Sequence, residues 1–194
     1  MPFSCYNFTC VKKGVLIKMN IWHDIDKKRI NANDFIACIE ISKGSKKKYE
    51  LDKETGMIIL DRILFTSTHY PANYGFIPRT YAGDRDPIDV LVLCQEDIEP
   101  LSLVRCKPIG VIKMVDNDDI DEKIIAVPLN DPTYNCYNDL CELPAHIFDE
   151  IRHFFSVYKE LEGKVTHVTE TLGHSEAIAI IEEAIECYEG TFNK

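Results

Sequence analysis

Between residues 35 and 129 the chain alternates short Val- and Ile-rich runs with polar breaks. The runs are FIACIEIS (35–42), KKYELD (47–52), MIILDRIL (57–64), PIDVLVLC (87–94), LVRCKPIGVIKMV (103–115) and KIIAVPL (123–129). Their β-branched content and the Gly, Asp and Asn at their ends predict strands. A polar KETG loop ending in Gly56 joins the second run to the third, which predicts a hairpin.

The last third changes period. Leu143, Ile147, Ile151, Phe154, Tyr158 and Leu161 recur every three or four residues and predict an amphipathic helix over 143–161. A second helix is predicted after Ser175, a good N-cap, as far as Glu189, ahead of Gly190. Strands followed by helices imply an α+β fold, mainly β, with an antiparallel or barrel-like sheet. Residues 1–19 hold three lysines and no acid, and their apolar part is only Val15-Leu16-Ile17, cut by Lys18. They read as a flexible leader rather than a secretory signal. Residues 20–194 then form a single domain.

Composition narrows the function. A chain of 194 residues with 45% apolar and 28% charged residues can bury one good core. A net charge of −10 disfavours nucleic acid and anionic membranes as partners, since both recruit basic surfaces. No apolar run approaches the ~20 residues that a membrane-spanning helix needs. The eight cysteines form no CxxC pair, and most lie inside apolar runs. They read as buried, reduced thiols of a cytoplasmic protein.

The densest chemical signal is Gly83-Asp84-Arg85-Asp86-Pro87-Ile88-Asp89-Val90-Leu91. In an extended segment Asp84 and Asp86 point to one side, and Asp89 emerges close to them at the start of a strand. Three carboxylates so close raise each other's pKa unless a cation intervenes. Oxygen-only ligands point to Mg²⁺, Mn²⁺ or Ca²⁺. A second acidic stretch, Asp116 to Asp121, reads as a loop between strands. Neither stretch is an EF-hand, because Ile88 and Ile120 occupy the fifth positions and no glycine stands at the sixth. Lys48, Arg62, Lys123 and Lys159 each flank an acid or a tyrosine. They form surface pairs, or, if they face the aspartates, they hold an anion against the metals. There is no GxxxxGK[ST], GxGxxG, HExxH or GxSxG pattern, and His69 reads as structural.

From Glu40 to Lys159 the chain resembles the soluble family I inorganic pyrophosphatases, in the prokaryotic-type short form. The blocks are Glu40-Ile41, Lys48-Tyr49-Glu50, Asp61-Arg62, YPANYGFIP, GDRDPIDVLVL, GVIKMVD with Asp121 and Lys123, and Tyr158-Lys159. The resemblance implies a small five-stranded, closed, OB-like β-barrel with two C-terminal helices packed outside. It implies Asp84, Asp89, Asp116 and Asp121 as metal ligands, Asp86 as the base, and Glu40 and Glu50 acting from further out or on additional ions. Lys48, Arg62, Lys123, Tyr158 and Lys159 would grip phosphate oxygens, and Tyr74 would hydrogen-bond within the site. The implied cofactor is Mg²⁺, with Mn²⁺ or Zn²⁺ as substitutes and Ca²⁺ inhibitory. The implied assembly is a homo-oligomer, a hexamer ahead of a dimer. Two positions depart from the pattern: Arg85 stands between the first two aspartates, and Ser42 replaces a proline.

The expected reaction is direct, in-line attack of water on pyrophosphate without a phosphoenzyme. A hydrolase of another phosphoanhydride, such as a nucleotide, is the rival enzyme reading. A cation- or phosphate-binding protein without turnover is the rival from outside enzymology.

Overall fold

The computed structural model describes residues 19–116 and 119–192, together with the backbone of two short strands, β1 (Val11–Lys12) and β2 (Val15–Leu16), which pair antiparallel. The rest of the expected leader lies outside the described residues.

The chain continues through α1 (Ile21–Asp24), β3 (Ile30–Asn31), β4 (Asp34–Ile41), β5 (Lys47–Leu51), β6 (Ile58–Ile63), β7 (Asn73–Phe76), β8 (Asp89–Val92), β9 (Leu103–Asp116) and β10 (Asp119–Pro128). It ends with α2 (Ala145–Val157), β11 (Thr166–Leu172) and α3 (His174–Phe192). β4 pairs with β7, β7 with β8, β8 with β10, β10 with β9, and β9 returns to β4. Five strands thus follow one another round a ring, the barrel that the resemblance implies. β3 extends it on β4 and β11 on β9. β5 and β6 form the expected hairpin as a separate two-stranded sheet.

Period two explains why the barrel strands are apolar throughout. Val90 and Val92 enter one hydrophobic cluster, with Ile124, Ala126 and the α3 residues Ala177, Ile181 and Ala184. Leu91 and Leu93 enter the other, with Ile125, Val127 and the α2 residues Ile151, Phe154 and Phe155. Strands covered on both faces lose the apolar–polar alternation of a half-exposed sheet. Each helix covers one cluster, in keeping with two C-terminal helices packed against the barrel.

Several boundaries move. The acidic stretch expected as a loop is mostly strand, because β10 starts at Asp119 and its register places Asp121 opposite Met114. α2 begins only after Pro144, which has no N–H to contribute, and it ends at Val157 instead of running to 161. A 3₁₀ turn, Glu160–Glu162, follows and closes on Gly163 in the left-handed region. Ser175 does not cap the second helix. The helix starts at His174, whose N–H donates to the Asp139 carboxylate at 2.9 Å. It also runs through Gly190 to Phe192, whose ring packs on Trp22 and Tyr188. β7 and β11 carry no strong strand signal in the sequence. β7 reads there as a turn-rich block, and β11 (THVTETL) is too polar to stand out.

All six described cysteines are free thiols. Cys38 and Cys106 are buried as expected, whereas Cys136, Cys141 and Cys187 are exposed. Cys5 and Cys10 lie outside the described residues. Among the described residues no helix is long and apolar enough to cross a membrane.

Candidate active site

The barrel's register assembles the centre of the site. β8 and β10 run parallel with Asp89 opposite Lys123, and Asp121 lies two residues before Lys123 on the same face. The Lys123 ammonium therefore reaches Asp89 at 2.7 Å and Asp121 at 2.8 Å. From β7, across the ladder from β8, the Tyr74 hydroxyl donates to the Asp89 carboxylate and accepts from Lys123 at 3.1 Å. Burial opposes charge on Lys123, yet Asp89 and Asp121 hold its pKa well above the ordinary lysine value. Burial, followed by the Asp89 charge, pushes the Tyr74 phenol up, so this hydroxyl remains a donor.

Glu40 enters through a bulge. The β4–β7 register shifts between Ile39 and Ile41, and the extra residue is Glu40. Its side chain is only 6% exposed. Burial, then the charge of Asp89, pushes its carboxyl up to about 8.

The aspartate loop brings its carboxylates together by a different route from the one the sequence suggests. Residues 82–86 form a tight turn rather than an extended segment. The Ala82 N–H donates to the Asp86 carbonyl at 2.8 Å, the Arg85 N–H donates to the Ala82 carbonyl, and Arg85 has φ 70°. The Asp86 N–H donates to the Asp84 carboxylate at 3.0 Å. Burial, and then the charges of Asp89, Asp86 and Asp121, hold Asp84 above its ordinary value against that hydrogen bond.

These groups line a cleft of about 270 Å³. Glu40, Lys48, Glu50, Tyr74, Asp84, Asp86, Asp89, Asp121, Lys123, Tyr158 and Lys159 all face it. Thus eleven of the thirteen residues expected at the site meet in one cavity. Of the other two, Asp116 ends β9 with its side chain outside the described residues. Arg62 does not line the cleft but stands behind it. It pairs across the hairpin with Lys48, its guanidinium donates to Asp61, and Asp61 also accepts from Lys48 at 3.4 Å. Its Nε donates to Glu162 at 2.9 Å, while Nη2 is buried without a hydrogen-bond partner. Arg85 lines a neighbouring cleft of about 680 Å³ beside α3 rather than the one that holds Lys48. Ser42, in place of the proline, donates to the Ile98 carbonyl at 2.8 Å. His69 is exposed and borders a separate basic loop away from the cleft.

The donor set fits a divalent cation. The carboxylates are oxygen ligands, and burial first, then the charges of neighbouring carboxylates, hold Asp84 and Glu40 above their ordinary values, the second being a repulsion that a metal ion removes. As the described side chains stand, no three acidic, histidine or cysteine groups already converge on one point, and Lys123 fills the space between Asp89 and Asp121.

The sequence assigns no role to three other residues at or beside the site. Glu162 orients Arg62 from the 3₁₀ turn after α2. Tyr70, 2% exposed, packs its ring on Tyr74 at 5.4 Å. Lys53 pairs with Asp86 across the cleft mouth. A lysine in a polar hairpin turn looks like any solvated loop residue.

Known proteins carry the same fold and much of the same sequence. The family model described as inorganic pyrophosphatase matches residues 37–189. Soluble inorganic pyrophosphatase 2 of Chlamydomonas reinhardtii is 46% identical over 169 residues, 87% of this chain and 88% of that protein. The inorganic pyrophosphatase of Aquifex pyrophilus is 51% identical over 158 residues, 80% of this chain and 89% of its own. The solved structure of the Helicobacter pylori enzyme superposes with a TM-score of 0.80 at 43% identity, covering 82% of this chain and 96% of that one. With that agreement in fold and sequence spanning the strands and turns that build the cleft, the chain belongs to the inorganic pyrophosphatase family.

Proposed function

We propose that the chain hydrolyses pyrophosphate to two orthophosphates in the Asp89–Lys123 cleft, as a Mg²⁺-dependent inorganic diphosphatase. The observation that carries this reading is the meeting of acidic and basic groups in one small cavity. A carboxylate wall of Asp84, Asp86, Asp89 and Asp121 faces Lys48, Lys123 and Lys159. A polyanion enters an acidic protein only where divalent cations and local lysines together neutralise it.

Asp84, Asp89, Asp116 and Asp121 would hold the ions, with Glu40 and Glu50 supporting further ones. When bound, Mg²⁺ lowers the pKa of water and neutralises phosphate oxygens. The chain's own groups do the remaining work. Asp86 accepts the proton of the attacking water. Lys48, Lys123, Tyr158 and Lys159 hold the phosphate oxygens, and Arg62, behind the cleft, would have to turn its buried, unpartnered Nη2 towards it to add a further donor. Tyr74 stays protonated and fixes the Asp89 carboxylate. Mn²⁺ or Zn²⁺ would substitute, and Ca²⁺, larger and loosely coordinated, would inhibit. A homo-oligomer, hexamer ahead of dimer, and a reducing cytoplasmic setting go with this reading. The six thiols lend support to the latter.

The test is phosphate release from pyrophosphate with Mg²⁺, beside ATP and a phosphomonoester, with a Ca²⁺ arm. Rapid release from pyrophosphate alone, suppressed by Ca²⁺, is expected. No release with any divalent metal from folded protein would leave a binding protein instead.

A further inference from the structure

We propose that Lys53 is a positioning residue for the reaction, aiming the Asp86 carboxylate at the attacking water. Among the cations that line the cleft it is the one to which the family pattern gives no role. The inference rests on Asp86 as the proton acceptor.

Lys53 is held on three sides. It sits in the turn between β5 and β6, which closes through the Asp52 N–H donating to Met57 and the Gly56 N–H donating to Asp52, both at 2.7 Å. Its carbonyl accepts from the Asn20 side chain at 3.1 Å. Gly56, at φ 72°, lets the turn press on the backbone of residues 19 and 20, where an added Cβ would stand 3.0 Å from the Asn20 Cα. The Lys53 ammonium lies 5.8 Å from the centre of the Trp22 ring and forms an ion pair with Asp86. Trp22 is itself fixed, being 4% exposed with its indole N–H on the Thr80 carbonyl at 2.9 Å. A chain of contacts therefore runs from the buried indole through the ammonium to the carboxylate. Its first members, Asn20 and Trp22, precede the residues that the family model matches.

Energetics separates positioning from stability. The two partners are 50% and 44% exposed at the side chain, and an exposed pair of this kind contributes little to folding. A half-exposed aspartate without a partner samples several rotamers, whereas a base must present one lone pair to one water. Misplacing a reacting group by about 1 Å can cost on the order of 100-fold in rate. The loss of Lys53 should therefore appear in turnover and leave the melting temperature nearly unchanged.

The experiment is steady-state pyrophosphate hydrolysis with saturating Mg²⁺ by Lys53→Met, Lys53→Arg, Asp86→Asn and the double variant Lys53→Met/Asp86→Asn, with thermal unfolding of each. Lys53→Met is expected to lower kcat about 10-fold with KM within a factor of about two, and Lys53→Arg to restore most of it. The double variant should lose no more than Asp86→Asn alone, since groups acting as a unit are not additive. Turnover of Lys53→Met within two-fold of the parent would overturn the proposal. So would a raised KM at unchanged kcat, which would make Lys53 a phosphate contact, or a multiplicative loss in the double variant. Full activity in Asp86→Asn would instead overturn the assignment of the base, on which the proposal depends.

Discussion

Glu40 is a carboxyl group that the fold has removed from water and set beside Asp89, and its protonation carries a stability consequence. With a native pKa of about 8 against 4.5 in the unfolded chain, the native state holds an extra proton between those values. The contribution to stability is present at low pH and disappears as pH rises towards 8. In the presence of chelator, Glu40→Gln should therefore melt higher than the parent above pH 8, with the gap closing as pH falls to 5. A constant gap across that range would show that Glu40 is not held protonated. Asp86 is half-exposed and ion-paired with Lys53. Asp86→Asn should lower kcat on the order of 100-fold or more while pyrophosphate still binds, measured by turnover beside equilibrium binding. At this scale the make-up of the candidate cleft was largely legible, since eleven expected residues line it. The geometry was not legible. Asp84 and Asp86 converge through a turn with Arg85 at positive φ, not through strand alternation, and backbone of that kind leaves little trace in residue types.

Among the elements, β7 shows why some segments were hidden. Its four residues owe their place to neighbours on both sides, β4 and β8, rather than to their own pattern. Gly75 is the sharpest sign of this. A Cβ at that position would stand 1.9 Å from the Cys38 carbonyl oxygen, in backbone that cannot step aside. Gly75→Ala should destabilise by about 3 kcal/mol or more, read by denaturant unfolding, with loss of Tyr74 placement and of activity. The start of α3 makes the same point. Ser175 carries the sequence signal for a cap, but Asp139, 35 residues away, takes the His174 N–H. The N–H groups of Cys141 and His174 hold the Asp139 carboxyl below its ordinary value. That stability exists above the unfolded pKa and is lost as pH falls through the native one. Asp139→Ala should cost about 1 kcal/mol at neutral pH, while Ser175→Ala leaves stability nearly unchanged.

For the molecule as a whole, the site is a meeting of three parts. The barrel supplies Glu40, Tyr74, Asp89, Asp121 and Lys123, the separate hairpin supplies Lys48 and Glu50, and the stretch after α2 supplies Tyr158 and Lys159, with Arg62 and Glu162 paired behind them. The Arg62–Glu162 contact ties the second part to the third at 2.9 Å. Glu162→Gln should lower kcat/KM about 10-fold, because the guanidinium loses the charge that orients it, and should also lower the melting temperature, since the pair is largely buried. Equal activity would mean that Asp61 alone orients Arg62. The sequence by itself determined the strand-then-helix order, four of the five barrel strands and the residue types of a metal-assisted phosphoryl site. Those signals are local: apolar runs, turn residues, and acids packed too densely to be indifferent to cations. Only the tertiary structure decided that β4 closes on β9, that a bulge pushes Glu40 inward, and that Asp139, Glu162 and Lys53 reach partners far away in sequence. Contacts of that kind depend on register and closure, which no window of neighbouring residues contains.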